Sequence, residues 1–185
     1  LATRQASLAL RDAMTAAERA AASAVICDAA NAMLAARLSL GEAVALYAAK
    51  GSEVDTQRVD AFARERGLVV AYPRVNGQAR RLAFHAVPIE ALAPARFELR
   101  EPSADAPAVA VEDISAFVVP GLAFDRAGGR IGWGRGHYDA TLAAAPRALR
   151  IGLAYERQIV DQVAREAHDV ALHIIITEVA THVVA

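Results

Sequence analysis

The chain has 185 residues, 55% hydrophobic and 22% charged, a composition that supports one globular core and excludes a disordered chain. Twenty basic against 21 acidic residues give a formal charge of −1, which speaks against a nucleic-acid partner held through bulk charge. The one cysteine, Cys27, excludes an internal disulfide and a Cys-rich zinc site, and no apolar run reaches the ~18 residues of a membrane span.

The first residues show no signal-peptide pattern. The expectation is therefore a single domain over 1–185, cytoplasmic and monomeric, with no membrane attachment. Alanine is abundant and the basic residues are nearly all arginine, with Lys50 the only lysine. A lone lysine of this kind reads as a solvated surface charge.

A short helix is expected over Arg4 to Asp12. Thr15 and Glu18 have the spacing of a capping box, so a long Ala-rich helix should run from there toward Arg37 and end by Gly41. Ala43 to Ala48 reads as a buried strand. Asp55 or Thr56 caps a further helix that Gly67 closes. Leu68 to Tyr72 reads as a strand stopped by Pro73, and Leu82 to Val87 as another. Pro88, Pro94, Pro102 and Pro107 break up a long surface connection, with Arg96 to Arg100 a candidate edge strand.

Ile114 to Val119 is again a buried strand. A glycine-rich loop follows, then a helix over His137 to Ala145. Leu149 to Tyr155 and Leu172 to Thr177 read as two more strands, with a helix between them over Gln158 to Val163. Strands that are continuous apolar runs and alternate with helices predict an α/β fold. It is a three-layer α/β/α Rossmann-like arrangement around a mostly parallel sheet. Ligands in such folds bind outside the carboxyl ends of the strands, so the loop after Val119 is the first place to look for chemistry.

That loop carries alternating glycines, Gly132, Gly134 and Gly136, which let backbone amides approach a ligand closely. Arg130 and Arg135 add charge-assisted donors suited to phosphate oxygens. Asp139, inside the helix that follows, is placed to hold a magnesium ion bridging those oxygens. There is no Gly-Lys-Ser/Thr of a Walker A loop and no dinucleotide Gly-x-Gly-x-x-Gly. On the residues alone, a flexible strand-to-helix turn and a phosphate cradle both remain open.

Pro120-Gly121-x-Ala123-Phe124-Asp125, followed by Arg130-x-Gly132-x-Gly134-x-Gly136-x-Tyr138-Asp139, resembles the signature of the 5-formyltetrahydrofolate cyclo-ligase family. Weaker similarities occur in the family's order. They are Tyr47 with Gly51 to Thr56, Tyr72 to Val75, Gly152 to Glu156 with Gln158, His168 to Val170, and Thr177-Glu178.

The resemblance implies an ATP- and Mg2+-dependent enzyme that converts 5-formyltetrahydrofolate to 5,10-methenyltetrahydrofolate, ADP and phosphate. The formyl oxygen takes the γ-phosphoryl group, N10 attacks the resulting iminium phosphate, and phosphate leaves. Carried over, the ATP contacts are Arg4 together with Arg130, Ile131, Gly132, Trp133, Gly134, Arg135, Gly136, His137 and Tyr138. The folate contacts are Ala48, Glu53 and the stretch Trp133, Gly134, Arg135, Gly136 and His137. Arg130, Arg135 and Tyr138 are the implied catalytic groups, and Asp139 and Asp169 the implied magnesium ligands.

A carboxylate at Glu53 suits the N–H donors of a pterin. Trp133 either stacks on a flat ring or covers the loop. The family's initial lysine would fall before Leu1, and His173 stands where the family often has Asp. A small-molecule kinase and a non-catalytic ligand- or nucleic-acid-binding module are the competing readings. Cys27, His85, His173 and His182 are read as structural.

Overall fold

The structure, a computed structural model, describes residues 4–77 and 79–184. Helix α1 (Arg4–Asp12) and the long α2 (Ala16–Arg37) open the chain. The capping box forms as expected: Thr15 Oγ1 accepts from the Glu18 amide, and Glu18 Oε2 accepts from the Thr15 amide at 2.7 Å. Then come β1 (Ala43–Ala45), α3 (Gln57–Glu65), β2 (Val69–Val75) and β3 (Leu82–Ala86). The proline-rich connection holds β4 (Ala93–Pro94), β5 (Arg100–Glu101) and β6 (Ala108–Val109). The second half contains β7 (Ile114–Val119), β8 (Ala123–Asp125), β9 (Arg130–Ile131), α4 (His137–Leu142), β10 (Leu149–Leu153), β11 (Ile159–Val160), β12 (Ile174–Ile176) and β13 (Thr181–Val183).

Among the described residues, one eight-stranded sheet runs β13-β12-β10-β7-β1-β2-β3-β6. Its five central strands, β12 to β2 in that order, are mutually parallel, and antiparallel strands flank them on both sides. The apolar runs are continuous because the central strands are buried on both faces. Val44, Val70, Ala116, Val118 and Ile151 face α2 and α3 in one core. Ala43, Ala71, Phe117, Val119 and Ile175 face the other core, which α4 and the small β11-β8-β9 sheet cover. The three layers are present, but the second outer layer is thin.

Several expected elements differ. β2 passes through Pro73 instead of stopping there. Its parallel pairing with β1 ends at Ala71, so no ladder bond to β1 is lost at the proline. β1 is shorter than expected because Thr56 Oγ1 donates to the Tyr47 carbonyl at 2.7 Å and turns the chain away. Residues 96–98 form a tight turn in which Phe97 and Glu98 take left-handed φ values of 61° and 58°, with only Arg100–Glu101 in the edge hairpin.

The helix expected over Gln158 to Val163 does not form. The segment is a 3-10 turn, Glu156–Gln158, followed by β11. Gln158 spends its amide group on the carbonyls of Gly121 and Leu122, both at 3.0 Å, and the Val163 amide donates to Asp125. The side chain of Gln158 pins the segment to the turn after β7, while the pairing of β11 with β8 and the Val163 bond take up backbone groups that a helix would need. α4 ends at Leu142 rather than Ala145, with the tighter Ala144-to-Thr141 and Ala145-to-Leu142 bonds leading into Pro146.

Candidate active site at the strand ends

The chain leaves β1 toward β2 on one side, and β7 returns to the other side of β1. The strand order therefore reverses between β1 and β7. A reversal of this kind opens a crevice outside the carboxyl ends of the two strands. The loop after β1, with Ala48 and Glu53, forms one wall. The Pro120–Leu122 turn after β7 and the glycine loop after β9 form the other.

The glycine loop hangs from a rigid base. Asp125, buried at the end of β8, accepts from the amides of Gly129 (2.7 Å), Ala127 (3.0 Å) and Val163 (2.8 Å), and from Arg165 Nη2 (3.0 Å). Burial opposes its ionisation, but the Val163 and Gly129 amides and the Arg165 guanidinium outweigh that and hold its carboxyl below the usual range. The Leu122 amide donates to the Ile131 carbonyl at 2.7 Å and closes the hairpin.

Beyond this base, residues 133–136 are exposed. Gly134 and Gly136 have φ of +84° and +66°, in the left-handed region that favours glycine. Among the described residues, no hydrogen bond takes an amide of residues 132–136 as its donor. Arg4 reaches this loop from α1: its Nε donates to the Gly132 carbonyl at 3.0 Å, and its guanidinium lies against Gly134. α4 has only six residues, so the loop amides and arginines, more than a helix dipole, are the groups offered to an anion.

Arg130 is buried and paired with Asp139 at 2.9 Å, and its Nη1 donates to the Val170 carbonyl at 3.1 Å. The Val170 amide also donates to Asp139 Oδ1 at 3.2 Å. Asp139 is thus half of an ion pair, and a cation there competes with Arg130 for Oδ1. Asp169, one residue before Val170, accepts from the Glu166 amide at 2.7 Å. Among the described residues there is no cluster of three or more His, Cys, Asp or Glu side chains placed to hold a metal ion. The donor set fits a magnesium ion that takes one or two carboxylates and completes its shell with phosphate oxygens and water, not an all-protein cage.

Glu53 is nearly enclosed, with its side chain 7% exposed. Oε2 accepts from the Lys50 amide at 3.0 Å, Oε1 lies 3.9 Å from Arg11 Nη1, and the Trp133 indole faces the carboxylate. Burial pushes its carboxyl above the usual range, while the Lys50 amide, Arg11 and Trp133 pull it back. Tyr138 is pushed well above the usual phenol range by burial and by the charge of Glu53, against the pull of Arg130. Its phenol stays protonated and can only donate to an anion. The ring nitrogen Nδ1 of His137 donates to the Arg80 carbonyl at 3.0 Å. Ala48 is half-buried just past β1.

Four features escaped the sequence reading. Arg11 is buried and joins both walls of the crevice. Lys50 is no solvated surface charge: its Nζ donates to the Phe97 carbonyl at 2.5 Å and lies 5.1 Å from the Trp133 ring centre. Phe97 itself stacks under Arg135, 4.0 Å from guanidinium to ring centre, which brings the proline-rich connection to the site. Gln158 pins the Gly121 turn. Gln158 enters the sequence only within the weak Gly152-to-Gln158 similarity, and the partners of Arg11, Lys50 and Phe97 lie too far along the chain to leave a local signal.

His173 and His85 both bond to backbone groups. His173 Nδ1 accepts from the Arg150 amide at 3.2 Å, and burial, then Arg150, pull its pKa below the usual value. His85 Nδ1 donates to the Ala106 carbonyl at 2.8 Å. Cys27 is buried, donates to the Asp55 carbonyl at 3.0 Å and is pushed up to about 11 by burial, then by Asp55. A cavity at the opposite, amino end of the strands, between Arg37, Glu42, Asp113, Arg147 and His173, holds none of the expected site residues.

The family model of 5-formyltetrahydrofolate cyclo-ligases matches residues 2–178. The chain belongs to this family. Its members are ATP-dependent. Similar proteins include the 5-formyltetrahydrofolate cyclo-ligase of Mycolicibacterium smegmatis, 40% identical over 88 residues, covering 46% of this chain and 45% of that one. That of Escherichia coli K12 is 28% identical over 145 residues, covering 75% and 79%. The match thus spans about half the length of the M. smegmatis relative and more of the E. coli one.

Among solved structures, the Aquifex aeolicus 5,10-methenyltetrahydrofolate synthetase is similar with a TM-score of 0.83 at 26% identity, covering 98% of this chain and 90% of that one. A Mycoplasma pneumoniae 5,10-methenyltetrahydrofolate synthetase shares the fold, with a TM-score of 0.78 at 24% identity, covering 95% and 96%. No helix among the described residues is long and apolar enough to cross a membrane.

Proposed function

We propose that this chain closes 5-formyltetrahydrofolate to 5,10-methenyltetrahydrofolate, using ATP and releasing ADP and phosphate. The observation that carries the reading is the meeting of two half-sites at the β1/β7 crevice. A buried carboxylate, Glu53, faces the indole of Trp133 in the exposed glycine loop. One half offers an acceptor for pterin N–H groups; the other offers amides and arginines to phosphates.

The formyl oxygen on N5 is a poor leaving group. Taking the γ-phosphoryl group from ATP, with ADP leaving, makes it a good one. N10 then attacks the formyl carbon and loses its proton, and inorganic phosphate departs. The protein's task is to align the two ligands and to neutralise charge. Gly132, Gly134, Gly136 and Ile131 let the backbone track the phosphates. Arg4 and Arg135 supply solvent-side cations, and Arg130 a buried one. Tyr138 donates without acting as a base. Trp133 and His137 border both ligands, and Ala48 leaves room for the folate beside Glu53. Asp139 and Asp169 would hold Mg2+, whose contribution is to neutralise phosphate oxygens.

We place the protein in the cytoplasm as a monomer, without a membrane or nucleic-acid partner. Its one cysteine is a buried free thiol and its charge is balanced.

The test is an assay with 5-formyltetrahydrofolate, ATP and Mg2+. The near-ultraviolet absorbance of the methenyl product should rise in step with free phosphate, one for one, and stop without ATP. Phosphate retained on a product would make the protein a small-molecule kinase. Saturable binding without turnover would make it a binding module.

A further inference from the structure

The buried Arg11 sits where the strand order reverses. Its Nε donates to Ser52 Oγ at 2.9 Å, in the loop after β1. Its Nη1 donates to the Gly121 carbonyl at 3.4 Å, in the turn after β7, and lies 3.9 Å from Glu53 Oε1. Arg11 is 2% exposed. Ser52 Oγ in turn donates a hydrogen bond to the Asp12 carboxylate, so the loop after β1 is tied to α1 twice. One planar guanidinium therefore spans the two walls of the crevice, a geometry that a lysine ammonium cannot reproduce.

The groups around Glu53 are few. Arg11 comes from α1, Tyr47 and Lys50 from its own loop, Trp133 from the glycine loop and Tyr138 from α4. Both phenols are protonated, and the Lys50 ammonium is engaged with Phe97 and Glu98. Arg11 is the cation committed to the Glu53 carboxylate.

We propose that Arg11 is a positioning residue for folate recognition: it clamps the loop after β1 to the turn after β7 and keeps Glu53 a carboxylate aimed at Trp133. This rests on the assignment of Glu53 to the folate half of the site. Without Arg11, the buried Glu53 takes up a proton at a higher pH. It then loses its function as a two-oxygen acceptor while the nucleotide half stays intact.

The experiment uses the full chain with R11Q, R11K and E53Q. Trp133 is the only tryptophan, so its fluorescence reads the Glu53 titration directly in the absence of ligand. The midpoint should lie at higher pH in R11Q than in the native protein, stay near native in R11K, and vanish in E53Q. Calorimetry with 5-formyltetrahydrofolate should show binding by R11Q weakened about tenfold more at pH 6 than at pH 8. ADP affinity should hold within about twofold.

Equal losses at both pH values, or a native midpoint in R11Q, overturn the proposal and leave Arg11 as scaffold only. Should R11Q not fold, R11K decides. Weaker folate binding with native ADP binding supports the clamp, and native folate binding overturns it. E53Q binding folate as tightly as native overturns the folate assignment of Glu53 itself, a failure distinct from that of Arg11.

Discussion

Two turns only a few residues apart in sequence are built on opposite principles. In the Asp125–Gly129 turn, one buried carboxylate accepts from three backbone amides and an arginine. In the Gly132–Gly136 loop, among the described residues, no amide donates a hydrogen bond at all. The first turn is satisfied internally and has nothing left to offer a ligand. The second leaves its donors for a ligand and relies on its neighbour for position. If the second loop holds the nucleotide as proposed, stability and function fall to adjacent segments, and a substitution in one should read out differently from a substitution in the other.

The largest effect expected is on stability, in the first turn. Asp125→Ala orphans the buried Gly129 and Val163 amides, at about 1–3 kcal/mol each, and releases Arg165, whose partial exposure makes its share smaller. A loss of about 3 kcal/mol or more should appear as a lower urea midpoint with an unchanged slope. A loss below about 1 kcal/mol would break the contrast.

Gly134→Ala probes the other turn. Its φ of +84° disfavours a side chain by roughly 1 kcal/mol, and the new methyl group would lie 3.1 Å from the Arg4 guanidinium. ADP affinity should fall about tenfold while the urea midpoint moves little. Native ADP binding in this variant would remove the loop from the nucleotide site.

The smallest effect is in pH dependence, and it sharpens the reading of Asp125 as the rigid base of the glycine loop. His173 and Asp125 both have folded pKa values below their ordinary ones. For each, the unfolded chain binds the proton first on acidification, so the stability they provide is complete above the ordinary value and is lost as pH falls below it. Stability should decline in two stages: below the ordinary histidine value of 6.5, then below the ordinary aspartate value of 3.8. Urea midpoints across pH 8 to 3 should show H173Q lacking the first stage and Asp125→Ala lacking the second.

What the sequence determined by itself was local. The capping box at Thr15 and Glu18 started α2 where expected, because both partners lie within one helical turn. The apolar runs over β1, β7, β10 and β12 announced a buried parallel sheet, because burial on both faces leaves no polar alternation. The glycines at 132, 134 and 136, with their arginines, marked an exposed loop of unusual backbone freedom.

Tertiary structure decided whatever depended on distant partners. Pro73 is accommodated in β2 because the neighbouring strand has already ended. Gln158 to Val163 is no helix because the β8 strand and Asp125 claim its backbone groups and the Gln158 side chain is held by Gly121 and Leu122. Lys50 is drawn to Phe97 and Trp133. Arg11 is indistinguishable from other arginines until folding brings Ser52, 41 residues away, and Gly121, 110 residues away, to the same guanidinium. A hydrogen-bond partner that far along the chain leaves no periodicity or spacing to read, because only the closing of the sheet determines which loops become neighbours.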